Sequence, residues 1–221
     1  MAAAVLFDVD GTLVDTVDLH ARAWQDAFRL FGKEVPFEDV RSQIGKGGDQ
    51  LMPVFYSPEE LERFGEEMQA RRSRLYRERY QPQVRAFPGV RPLFERLKRD
   101  GTRIALASSA DREEFEANLA LLGIGDLIDA ATSARDAARS KPFPDIFDAA
   151  LAKLDGIGAE QAVAVGDTPY DAIAASQIGL RTIGMLCGGF PEEALRGAGC
   201  IEIWRDPEDL LAGYERSALA R

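Results

Sequence analysis

The feature that most constrains this chain is a series of short, almost uninterrupted apolar runs: AVLF before Asp8, RIALA before Ser108, AVAV before Gly166, RTIGML from Arg181 and CIEIW from Cys200. Strands apolar on both faces need cover on both faces, as in parallel sheets flanked by helices, whereas a half-solvated antiparallel sheet would alternate apolar and polar positions. The stretches between the runs carry helical spacing and helix punctuation. Gly89 to Lys98 is followed by Gly101, Asp111 to Leu122 by Gly123, and Pro144 opens the stretch to Leu154. Proline near a start and glycine just past an end are the expected helix boundaries. The sequence therefore predicts an α/β fold.

The alternation is interrupted between Asp15 and Arg103, an interval far longer than the roughly 30 residues of a whole βαβ unit. It reads as helices from Thr16 to Phe31, after Pro36, after Gly48, and from Pro58 to about Tyr80. The expectation is a doubly wound, mostly parallel sheet with a Rossmann-like core, formed by residues 1–15 and 86–221. Residues 16–85 are expected to form an inserted all-helical cap domain. The proline-bearing QPQVRAFPG stretch suits a linker or hinge at its exit.

Composition excludes several function classes. With 27 Lys and Arg against 37 Asp and Glu, the net charge is −10, the wrong sign for a surface that binds phosphate backbones, so no nucleic-acid partner is expected. Two cysteines, Cys187 and Cys200, are too few and too separated for a disulfide framework or thiolate metal site. The start, MAAAVLFDVD, has no basic leader region, and no run approaches the ~20 apolar residues of a membrane span. A cytoplasmic protein without membrane contact is expected, a monomer in the first instance and a dimer in the second.

The chemistry concentrates at strand ends. In DVDGTLVD, Asp8 and Asp10 sit two apart on an extended segment and so share a side, at the carboxyl end of a strand where open α/β sheets place their ligands; Gly11 allows a sharp turn. A second acidic cluster, Asp167 and Asp171 in GDTPYD, follows the AVAV strand and can meet the first at the same edge. Four converging carboxylates need a cation, and an all-oxygen donor set suits hard, octahedral Mg²⁺. RIALA delivers Ser108 and Ser109 to that edge, where a hydroxyl and helix-start N–H groups can hold phosphate. Lys141 lies in SKPFPDIF, set off by Pro142 and Pro144. Against Lys141 alone, the four aspartates leave three negative charges uncompensated, so a phosphate dianion can approach only once a cation is bound.

In this order, DVDGT, Ser108 closing an apolar strand, Lys141 in KPFPD, and GDTPYD resemble the four motifs of the haloacid dehalogenase superfamily of phosphohydrolases. The long helical insertion after the first motif is similar to the cap of its phosphoglycolate phosphatase and β-phosphoglucomutase-like members. The resemblance implies that Asp8 is a nucleophile forming an aspartyl-phosphate and Asp10 a general acid and base. It further implies that Ser108 binds the phosphoryl group and that Lys141 bridges Asp8 and phosphate. Asp8, Asp10, Asp167 and Asp171 would form the Mg²⁺ site, Asp171 mainly through water. Gly11, Thr12 and Ser109, with Lys46 and His20 from the cap, would contact a small phosphorylated metabolite such as phosphoglycolate or a sugar phosphate.

Departures from relatives narrow the expectation. Asp10, absent from true dehalogenases of this family, is present, and the cap loop IGKGGDQ offers Lys46 where the mutases carry an arginine. Hydrolysis of a monophosphate is therefore expected, with mutase-like phosphotransfer as the alternative. A non-catalytic phospho-receiver is disfavoured by Asp10 and the long cap, and a nicotinamide fold by the absence of GxGxxG. His20 shares a helical stripe with Trp24 and Phe28, which suits packing as well as a role beside Asp10. The basic run RRSRLYRER reads as a solvated helix face offsetting nearby glutamates.

Overall fold

A computed structural model describes residues 1–221. The strands are β1 Ala4–Phe7, β2 Val14–Asp15, β3 Arg85–Ala86, β4 Arg103–Ala107, β5 Ala130–Thr132, β6 Ala162–Gly166, β7 Arg181–Met185 and β8 Glu202–Trp204. Six of them form one sheet in the order β5-β4-β1-β6-β7-β8, and every pair in it is parallel. The first strand is thus central, flanked by strands that follow it by long crossovers. That is the switch point where such sheets open a crevice.

Side-chain alternation in these strands builds two unequal layers. Val5, Phe7, Ile104, Leu106, Val163 and Val165 face one way, into a large core with Leu93 and Phe94. Ala4, Ala105, Ala107, Ala162 and Ala164 face the other way, where small side chains let Phe147, Ile146 and Ala174 pack close. The flanking helices are α5 Val90–Arg99, α6 Arg112–Leu122, α7 Asp145–Ala152, α8 Pro169–Ser176, α9 Glu192–Gly197 and α10 Pro207–Ala212.

Four helices, α1 Val17–Leu30, α2 Phe37–Arg41, α3 Gly48–Phe55 and α4 Pro58–Leu75, precede α5 in the chain. They enclose a separate apolar cluster that includes Trp24, Phe28, Leu51, Tyr56 and Met68. Chain entry and exit run side by side through the antiparallel β2–β3 pair, with Val14 opposite Ala86 and Asp15 opposite Arg85.

Some elements differ from expectation. Regular helix ends at Leu75, and Tyr76–Tyr80 form a wider π turn before a short 3₁₀ segment, Gln81–Gln83. Pro82 has no N–H to continue the ladder to Glu78. The strand at Ala130–Thr132 and the β2–β3 pair were not expected, because two or three residues are too few to show a period. No helix is long and apolar enough to cross a membrane.

Candidate active site

Register places the site. Phe7 pairs with Leu106 on one side and Val165 on the other, so Asp8 emerges level with Ala107 and Gly166, one residue before Ser108 and Asp167. The ammonium of Lys141, only 1% exposed, contacts the Asp8 carboxylate directly and lies 2.7 Å from Asp171 Oδ1. Asp171 is fixed in turn by the Thr168 N–H at 3.0 Å and hydroxyl at 2.7 Å, both donated to its Oδ2. Thr12 Oγ1 stands 3.1 Å from Asp8 Oδ2 and 2.9 Å from Asp167 Oδ1. A single hydroxyl proton serves one of them at a time.

One oxygen from each of Asp8, Asp167 and Asp171 falls within 4.8 Å of the others. Burial raises the Asp8 carboxyl to about 7, with Asp171 and Asp10 adding to the rise and Lys141 opposing it. Burial also holds Asp167 well above the usual carboxylate range, reinforced by the charges of Asp8 and Asp171. For Lys141 burial alone would lower the pKa, but Asp171 and Asp8 outweigh it and keep the ammonium charged.

This trio suits a cation on structural grounds. Asp167 Oδ2 is buried without a hydrogen-bond donor, and such an orphan costs about 1–3 kcal/mol or more when charged. The space beside it is held open by glycine: a Cβ on Gly11, where φ is +86°, or on Gly188 would collide with this oxygen. A compact, oxygen-lined space beside unsatisfied carboxylates fits a hard ion of the Mg²⁺ kind.

Asp10 occupies a different environment. Its Oδ1 accepts three hydrogen bonds, each of 3.1 Å, from Thr16 Oγ1, His20 Nε2 and Asn118 Nδ2. Its Oδ2 is left 3.5 Å from Ser108 Oγ. Burial would raise this carboxyl, but hydrogen bonds from His20 and Thr16 and the charge of Arg72 outweigh it and hold it below its ordinary value. Arg72 donates to His20 Nδ1. Because a guanidinium cannot accept, the ring must carry its proton on Nε2 and donate it to Asp10.

The expected site residues lie in distinct surroundings. The carboxylate of Asp10 stands outside the trio of Asp8, Asp167 and Asp171, its Oδ1 taken by Thr16, His20 and Asn118 and its Oδ2 near Ser108. Thr12 is fully buried, its hydroxyl between two aspartates. Gly11 acts by the space it leaves. Both ring nitrogens of His20 are engaged, by Arg72 and Asp10, its ring stacks on Tyr76 at 4.2 Å, and it also lines the cavity above the site. In the basic run, Arg72 is buried, not solvated. Gly65, Met68, Arg72 and Tyr76 form one inward stripe of α4 and the turn after it, a spacing that a stricter helical reading would detect. Asn118 and Glu114, one turn apart on α6, were missed because a polar residue in an amphipathic helix is ordinarily solvated.

Above this floor lies a cavity of about 620 Å³ between cap and core, lined on the core side by Asp8, Asp10, Ser109 and Lys141. The Ser109 hydroxyl is buried without a partner. Lys46 also lines the cavity, its ammonium 2.6 Å from Gln43 Oε1 and 4.7 Å above the Tyr170 ring. The cap is seated on the core by Tyr170, which donates to the Ser42 carbonyl at 2.7 Å, and by Asp49, which takes the Ser140 N–H at 3.1 Å.

A parallel α/β core whose central strand ends in a buried carboxylate–lysine pair, under a helical cap, defines a class of hydrolase. The family model for haloacid dehalogenase-like hydrolases matches residues 5–185, and the chain belongs to that family. It is 35% identical over 185 residues to the chloroplastic protein SUPPRESSOR OF QUENCHING 1 of Arabidopsis thaliana; that match covers 82% of this chain but 17% of the plant protein. A phosphorylated carbohydrates phosphatase of Thermotoga maritima is 28% identical over 214 residues, covering 94% of this chain and 96% of its own. The crystal structure of a hydrolase from Pseudomonas syringae superposes with a TM-score of 0.87 at 29% identity, covering 97% of this chain and 99% of that one.

Proposed function

We propose that this protein is a Mg²⁺-dependent phosphatase that hydrolyses a small phosphorylated metabolite of the sugar-phosphate type. One observation carries the reading: two aspartates two residues apart are held in different environments, Asp8 in direct contact with the Lys141 ammonium and Asp10 on the side-chain donors of Thr16, His20 and Asn118. Unlike environments are how two carboxylates divide nucleophilic and proton-transfer work.

Asp8 attacks phosphorus, and the bond from phosphorus to the leaving oxygen breaks. Asp10 takes up a proton on Oδ2 when the negative charge of the phosphate arrives beside it and offsets the donors that otherwise hold it ionised, and it gives that proton to the departing alkoxide, Oδ1 being saturated by its three donors. Water then attacks the aspartyl-phosphate, yields its proton to Asp10 Oδ2, and frees both Asp8 and phosphate. Lys141 offsets charge on the transferring oxygens, while Ser108 and Ser109 offer hydroxyls beside them. A divalent ion held by Asp8 and Asp167, with Asp171 behind, would keep Asp8 ionised near neutral pH and offset the negative charge of the site. A carbohydrate-phosphate phosphatase among the relatives agrees with this substrate class.

The test is Asp8→Asn, which removes the nucleophile with little change of shape. Turnover of p-nitrophenyl phosphate should fall by at least about 10³-fold while the fold survives. In the native enzyme, an added alcohol should divert a constant share of phosphoryl groups whatever the starting ester, as a common covalent intermediate requires. Near-native turnover by Asp8→Asn, or a share that tracks the leaving group, would overturn the mechanism.

A further inference from the structure

The cavity extends well beyond the reacting phosphate, and its outer wall has a definite chemical character. At about 620 Å³ it is in the range that encloses whole metabolite-sized ligands, far more room than a two-carbon acid needs. Trp24 and Met52 line it with apolar surface, and Asp49, Glu66, Gln69 and Lys46 with polar groups.

Charges on this wall are unequal once paired groups are set aside. Arg72 is committed to Glu114 at 2.9 Å and to His20, and Asp111 faces Arg77 at 3.3 Å. Glu66 has no cationic partner, and Asp49 is hydrogen-bonded to Ser140 and to Gln50 but to no cation. Lys46 is the remaining cation, already bonded to Gln43 and lying over Tyr170. Two uncompensated carboxylates against one engaged ammonium make an acceptor-rich wall. A second anionic group would meet repulsion there, whereas hydroxyl or ammonium groups would find acceptors.

Resting on the phosphatase reading, we infer that the preferred substrate is a monophosphate ester of a sugar-sized, hydroxyl-rich leaving group that is uncharged or cationic. Asp49 and Glu66 then set specificity against bisphosphates and phosphorylated carboxylic acids.

The experiment compares kcat/KM for glucose 1-phosphate, glucosamine 1-phosphate, glucuronate 1-phosphate and glucose 1,6-bisphosphate, with p-nitrophenyl phosphate as a reference that lacks a sugar. The neutral and cationic esters should exceed the two anionic ones by about tenfold or more. In Glu66→Arg, at an exposed position of α4, the ratio of anionic to neutral ester should rise by about tenfold. Equal rates for all four sugars, preference for the anionic pair, or turnover of p-nitrophenyl phosphate alone would overturn the specificity inference and leave the phosphatase reading standing. No turnover of any ester with Mg²⁺ present would overturn both.

Discussion

The Arg72 guanidinium lies 2.9 Å from the Glu114 carboxylate, joining cap helix α4 to core helix α6 through side chains only 9% and 2% exposed. The same arginine donates to His20, which donates to Asp10; Asn118, one turn beyond Glu114, donates to that same Asp10 oxygen. Seating of the cap and orientation of Asp10 therefore depend on one buried set of contacts.

Breaking that pair from one side strands a buried charge. Arg72→Leu should lower unfolding free energy by about 3 kcal/mol or more, and the double variant Arg72→Leu with Glu114→Leu should recover much of the loss. Urea unfolding of the four proteins measures the coupling. Additive losses would mean that the two side chains do not depend on each other.

Asp10→Asn tests the division of labour between the two aspartates. An alkoxide needs a proton to leave and p-nitrophenolate does not, so alkyl phosphates should lose turnover by about 10²-fold or more, and aryl phosphates markedly less. The comparison is kcat for the two ester types in one preparation. Equal losses would remove the acid role of Oδ2.

Stability of the metal-free protein should fall as pH rises from about 4 to 7. Burial raises Asp8 from 3.8 to about 7 and moves Asp167 in the same direction. Across that window the folded state binds more protons than the unfolded chain, so its advantage diminishes as pH increases, by on the order of 2–4 kcal/mol. Lys141, shifted upward, stays charged throughout this window. Mg²⁺ binds the ionised carboxylates, so the rise in melting temperature on adding it should be larger at pH 7.5 than at pH 5. Thermal melts in chelator and in Mg²⁺ at both pH values decide this; an increment independent of pH would contradict ion binding at the trio.

Gly188→Ala places a methyl group against Asp167 Oδ2. Asp167 must move, so the Mg²⁺ concentration for half-maximal activity should rise by about tenfold or more while secondary structure is kept. Titrating activity with Mg²⁺ and recording circular dichroism separate the two effects. An unchanged requirement would mean that the space beside Asp167 is not needed by the ion.

The α/β class and the strand ends bearing Asp8, Ser108 and Asp167 were legible in the sequence. They rest on local chemistry: a run apolar on both faces can only be a covered strand, and a carboxylate at its end must emerge at the sheet edge. Lys141 was visible only through its motif, since a lone lysine says nothing of burial. Tertiary structure alone decided what each carboxylate meets. Asp8 and Asp10 are two residues apart, yet one faces Lys141, which follows β5 in the chain, and the other faces α1 and α6. Arg72 likewise lies inside a basic run whose local pattern suggests solvent, and its burial depends on a glutamate on a helix of the other layer. Periodicity reports which face of an element is turned inward; the partner that face meets is set by packing between segments distant in the chain, which no local pattern encodes.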